Sequence, residues 1–242
     1  MQLKLALWND VQVYLQRRTD VLIPLGSTEQ HGPSGPLGTD FIVAEELAND
    51  VGEERRAMVA PAIPFGASQI HAAFPGTITV RPATVLALLG EVIEGLAHQG
   101  FRRFLVVNGH HGSKAVLEVA CAQVHAQLPG VRCLAAHWWE LPEVRSLVLE
   151  MFGAREGHHA TPGELSVVRR FYPRAVVDVP AMERFEPVPQ PVAWGAEDFR
   201  QRYPDGRVGS DPGLSSGATG DRIFAAASRA LVEVHRRLVE DP

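Results

Sequence analysis

Three short stretches of this chain concentrate carboxylates and imidazoles. The first, GSTEQHGPSGPLGTD at residues 26–40, holds Glu29, His31 and Asp40. In an extended segment, residues two apart project to the same side, so Glu29 and His31 share a face. The Gly/Pro-rich turn that follows can return Asp40 beside them. Two carboxylates and an imidazole form a hard-to-borderline donor set suited to zinc or manganese. The second stretch, NGHHGS at residues 108–113, holds His110 and His111, and the third, EGHHATPGE at residues 156–164, holds His158, His159 and Glu164. Paired histidines in glycine-rich turns are a poor way to build a core. Taken singly, each residue has an ordinary reading. Asp40 suits a helix N-cap, Glu164 complements a helix dipole, and Glu29 and His110 suit a surface and a loop. Trp138 and Trp139 suit a core or interface. Their joint placement after strand ends is what points to chemistry.

The elements that must position them are legible from periodicity. Apolar runs at 21–25, 58–61, 103–107 and 131–135 predict buried strands. Amphipathic stretches at 41–53, 82–99, 113–127, 141–152, from 162 onward and at 221–240 predict helices. Pro82 and Gly100 mark the ends of the second of these, and Thr161 with Pro162 the start of the fifth. Strands alternating with helices predict an α/β fold with a mainly parallel sheet. Both the 26–40 and the 108–113 stretches follow strands directly, at the carboxyl edge where such sheets place ligands. Glu164 falls in the first turn of a helix, oriented back toward the loop of His159. Residues 173–217, rich in Pro and Gly, read as a functional loop, a lid or an oligomer contact. His98, His125 and His235 lie on helix patterns and read as solvated.

Composition bounds the rest. The 242 residues carry a net charge of −5, against a nucleic-acid binder held mainly by charge. With 45% hydrophobic and 21% charged residues, they suit one globular domain spanning 1–242. Two cysteines, Cys121 and Cys133, exclude a disulfide framework and suit a reducing cytoplasm. The opening residues lack the pattern of a secretory signal, and no apolar run is long enough for a membrane span. No GxGxxG follows any strand, which weighs against a dinucleotide enzyme. A non-catalytic scaffold would be expected to have lost part of the donor set.

The ordered motifs resemble those of the creatininase (creatinine amidohydrolase) family. GSTEQHGPSGPLGTD is similar to its first metal motif, FGASQIHAAFPGTITV at 65–80 to its second block, NGHHGS to its NGHGGN block and HATPGELS at 159–166 to HAGxxETS. The resemblance implies a three-layer α/β/α fold, a homohexamer and a site for two divalent metal ions, Zn or Mn. Glu29 and His110 would hold one ion, His31 and Glu164 the other, and Asp40 would bridge. His159 would be the catalytic proton donor or oxyanion partner, with His71, His111, Trp138 and Trp139 contacting a small-molecule substrate. The implied activity is hydrolysis of an amide, lactam or formamide C–N bond. The alternative within the family is a peptidase that trims a small peptide in redox-cofactor (mycofactocin-type) maturation. Creatininase proper has a glutamate where this chain has Gly112, so Glu164 must supply that ligand. Ser34 and His111 also depart from the usual pattern, and the pocket wall differs accordingly.

Overall fold

The computed structural model describes residues 1–183 and 195–240. Its centre is a strand, β1 (Asp20–Leu25), buried along its whole length. The apolar run that follows Asp20 in this strand is stable only when both of its faces are covered. Around it lie β2 (Met58–Val59), β3 (Arg103–Asn108) and β4 (Arg132–His137), in the order β2-β1-β3-β4, and every pairing is parallel. The register aligns Leu25 with Asn108 and Asn108 with His137. Three strands therefore end level with one another, and the stretches following them emerge from one edge.

The pleat sends alternate residues to opposite faces. Leu22, Leu105 and Val107 join one core with α2 (Thr39–Glu54), α5 (Pro142–Phe152), α6 (Pro162–Phe171) and α8 (Gly217–Glu240). Val21, Ile23, Leu25, Phe104 and Val106 join the other, with α1 (Trp8–Leu15), α3 (Pro82–Gln99) and α4 (Lys114–Gln127). The result is the expected three-layer α/β/α sandwich, in which each fully buried aliphatic side chain contributes roughly 1.5–3 kcal/mol. Pro82 opens α3, and Gly100 stops it in the left-handed region at φ 116°. No helix among the described residues is long and apolar enough to cross a membrane.

Two expectations change. A seven-residue helix, α7 (Ala196–Arg202), interrupts the 173–217 segment; its Phe199 is buried. Residues 184–194 of that segment lie outside the described residues. His235 is not solvated: it is fully buried, with Nε2 3.0 Å from Asp20 Oδ2, joining α8 to the start of β1. A single histidine on an otherwise amphipathic helix carries no sign of the carboxylate it will meet 215 residues away.

Candidate metal centre

Asp40 reaches the strand ends because the first turn of α2 is pressed against them. A Cβ at Gly26 would stand 2.3 Å from the Phe41 nitrogen, and one at Gly109 2.1 Å from the Asp40 carbonyl oxygen. Only glycine admits that approach. The second block packs alongside, with Thr28 bridged to Ile78 and Gly66 to Thr79. Asn108 braces the turn after β3: its Oδ1 accepts from the His110 amide at 2.9 Å and its Nδ2 donates to the His110 carbonyl at 3.0 Å. At α6 a capping box forms: the Glu164 amide donates to Thr161 Oγ1, and Glu164 Oε1 accepts from the Thr161 amide. Holding one oxygen in this way leaves Oε2 of Glu164 facing His31 Nε2 at 4.0 Å.

Three overlapping groups of donor atoms result, each within 4.8 Å internally: Glu29, Asp40 and His110; His31, Asp40 and Glu164; Glu29, His31 and His159. Asp40 belongs to two of them, with Oδ1 3.0 Å from His31 Nε2 and Oδ2 3.0 Å from His110 Nδ1. Glu29 Oε2 lies 3.4 Å from His110 Nδ1.

The imidazoles are oriented from behind. His31 Nδ1 donates to the Glu29 carbonyl at 3.1 Å, and His110 Nε2 to the Ala67 carbonyl at 3.3 Å. The nitrogens turned to the carboxylates are thus the ones able to be bare, the arrangement by which proteins present histidine to metals. Glu29 Oε2, His31 Nε2 and Asp40 Oδ2 are buried and make no hydrogen bond. Buried polar atoms without partners are costly. Convergent oxygens and imidazole nitrogens of this kind fit divalent cations, and the donor chemistry suits zinc or manganese.

The electrostatics carry the same signature. Burial opposes charge on His31, yet the Asp40, Glu164 and Glu29 carboxylates push it up to about 10. Burial likewise opposes charge on His110, while Glu29 and Asp40 raise it to about 9. Burial raises Glu164 to about 7, with Asp40 and Glu29 adding to the effect against His31. For Asp40 burial is outweighed by His31 and His110, which hold it far below the usual carboxylate range. His159 behaves oppositely: burial, then the neighbouring His71 and His31 rings, keep it well below the usual histidine value.

The remaining expected residues divide. His71 is buried, with Nε2 3.5 Å from Glu29 Oε1, its ring stacked on His159 at 4.3 Å and met edge-on by Phe199 at 4.8 Å. His111 is exposed, 6.1 Å from the Trp139 ring, which lies 5.6 Å from His137. Trp138 is buried in the core on the α8 side of the sheet. Gly112 packs on His110, where a Cβ would stand 2.6 Å from Nε2, so no side chain at this position can act as a ligand without displacing that ring. Sequence reasoning missed Gln30, whose side chain touches both His71 and His159. Its place between two ligand candidates was the only available signal. Ala160, next to His159, is held at φ 54°, the sparsely populated region in which functional sites store strain.

Over 108 residues the chain is 43% identical to the mycofactocin precursor peptide peptidase of Mycolicibacterium smegmatis, covering 42% of this chain and 43% of that protein. It is 36% identical over 101 residues to a 3-dehydro-scyllo-inosose hydrolase of Thermotoga maritima, covering 41% of this chain and 32% of that protein. The matched stretches thus span less than half the length of these relatives. A mutant creatininase of the Zn–Zn type has the same fold, with a TM-score of 0.81, 19% identity, and coverage of 99% of this chain and 98% of that one. The sequence profile described as creatinine amidohydrolase matches residues 5–235, nearly the whole chain, and the protein belongs to the creatininase family.

Proposed function

We propose that this chain is a metal-dependent amidohydrolase that cleaves an amide, lactam or formamide C–N bond of a small molecule. The observation that carries the reading is the pair of donor groups sharing Asp40, lined with buried nitrogen and oxygen atoms that make no hydrogen bond. Glu29 with His110, and His31 with Glu164, would hold two zinc or manganese ions, with Asp40 common to both. Divalent ions bound there would lower the pKa of a water and polarise a carbonyl oxygen. The protein's own groups do the rest. The Glu29 and Ala67 carbonyls keep His31 and His110 turned toward the centre. His159 Nδ1, 3.8 Å from Glu29 Oε1, exchanges the proton that must move from attacking water to departing nitrogen as the O–C bond forms and the C–N bond breaks. His71 backs Glu29, while His111 and Trp139 offer a rim for a planar substrate group, with Trp138 anchoring that rim to the core.

A second reading, a peptidase acting on a small peptide, is favoured by the 43% identity with the mycofactocin precursor peptide peptidase. Metal analysis of purified protein, followed by product analysis on a panel of lactams, formamides and short peptides, separates the two. A protein that takes up no transition metal, or a metal-loaded protein that leaves the whole panel untouched, refutes the hydrolase. We further propose a cytoplasmic homohexamer. Exposed Leu5, Leu7, Trp8 and Val13 near α1, and Leu134 on the edge strand β4, support self-association; a monomeric mass in solution refutes it.

A further inference from the structure

We infer that Gln30 is a positioning residue that sets the tautomers of two imidazoles behind the metal centre, so that His159 faces the reaction with a bare Nδ1 and takes a proton before it gives one. The inference rests on the hydrolase reading for its purpose, and on hydrogen-bond accounting for its content. The Gln30 amide has only one orientation. Its Oε1 accepts from the Gly32 amide at 2.9 Å, and its Nε2 donates to the Gly206 carbonyl at 2.8 Å; neither partner can exchange roles. One N–H of Nε2 remains, with two nitrogens in reach: His71 Nδ1 at 2.9 Å and His159 Nε2 at 3.0 Å. The main chain decides between them. His159 Nε2 lies 2.8 Å from the Gln30 carbonyl oxygen, which can only accept, so that nitrogen must carry hydrogen.

The rest follows. The last Gln30 N–H goes to His71 Nδ1, and His71 keeps its hydrogen on Nε2, facing Glu29 Oε1 at 3.5 Å. Gln30 thereby presses a donor toward one oxygen of Glu29 and leaves the other, which makes no hydrogen bond, turned to His110 and Asp40. His159 Nδ1, 3.8 Å from Glu29 and within the group that includes His31, is left with its lone pair toward the centre. This assignment gives each N–H of Gln30, His71 and His159 an acceptor and His71 Nδ1 a donor, and leaves His159 Nδ1 as the bare nitrogen. The reverse one sets two lone pairs 2.8 Å apart at the Gln30 carbonyl and leaves His71 Nδ1 without its donor.

The test is the nitrogen spectrum of histidine-labelled protein at neutral pH with Zn²⁺ added, with resonances assigned by their loss in His71→Gln and His159→Gln. Both rings are expected to show a protonated Nε2 and a bare Nδ1. In Gln30→Glu the carboxylate cannot donate, so His71 gains hydrogen on Nδ1 while His159, governed by the backbone carbonyl, is unchanged. Turnover should fall about 10–100-fold, the usual cost of disturbing groups behind a metal site. A proton on Nδ1 of either ring in the unsubstituted protein, or a His71 tautomer indifferent to Gln30→Glu, overturns the inference. If Gln30→Glu does not fold, the unsubstituted spectrum alone decides. Absence of turnover on every substrate would sink the hydrolase reading and leave these tautomers standing.

Discussion

Loading the centre with metal should expel protons, and the structure says how many. With His31 pushed up to about 10 and His110 to about 9 by the carboxylates around them, both rings of chelator-treated protein hold a second proton at pH 7. Glu164, raised to about 7, is half protonated there. Cations compete for the same nitrogen and oxygen atoms, so filling both positions releases about two and a half protons per chain at pH 7. One comes from each histidine, and the fraction from Glu164. Titration calorimetry with Zn²⁺ or Mn²⁺ in buffers of different ionisation heat reads this number directly. The same displacement makes affinity rise steeply with pH until both rings have lost their extra protons, His110 through about 9 and His31 through about 10. In chelator-treated protein the signs run the other way. A histidine raised on folding adds stability that is full below its unfolded value of 6.5 and is lost as pH climbs through 9 to 10. The stripped protein therefore weakens above neutrality while the loaded protein does not. Release of less than one proton per chain would refute the reasoning, because it would mean that the carboxylates do not charge these rings and the ligand nitrogens are already bare.

Other consequences are independent of that number. Asp40→Asn, which leaves the shared ligand neutral, should abolish turnover and remove the thermal stabilisation that metal confers; at a hundredfold excess over Kd this is about 2.7 kcal/mol in the parent protein. Melting curves with and without metal check it, and a variant that keeps the full metal-induced shift contradicts the sharing of Asp40. Asp20→Asn should cost about 3 kcal/mol in denaturant unfolding, since it strands buried His235 and half-buried Arg18 opposite an uncharged amide. Burial raises Asp20, but His235 and Arg18 outweigh it and hold the group far below its ordinary 3.8. The parent should therefore lose stability as pH drops below that value, and Asp20→Asn should show a flatter acid limb. An equally steep limb would exclude Asp20 as its source. Ala160→Gly relieves the positive φ and should raise stability by up to about 1 kcal/mol while lowering turnover; unchanged turnover would show that strain beside His159 has no part in positioning it.

The split between what was legible early and what was not follows interaction range. β1 and β3 announced themselves as short apolar runs because the middle of a strand covered on both faces has no water to solvate polar side chains, and the polar Asp20, Arg103 and Asn108 stand only at the strand ends. Thr161, Pro162 and Glu164 announced the start of α6 because capping is settled within four residues. The clustering of acids and histidines after strand ends also pointed to one edge, since parallel strands carry their C-termini to the same side. By contrast, α7 packs Phe199 on His71 from more than a hundred residues away, and nothing in its own short pattern marks that destination.

The chain by itself determined the alternation of elements, the stretches that would meet at the sheet edge and the donor types they would bring, because each depends on local propensity, turn chemistry or strand polarity. Only the tertiary structure decided that Asp40 lies between His31 and His110, that Gln30 locks two imidazoles, and that His235 is a buried partner of Asp20. Those outcomes turn on contacts between residues far apart in sequence, with directions fixed to tenths of an ångström by packing. A side chain's charge and its bare or protonated nitrogen are properties of what folding sets beside it.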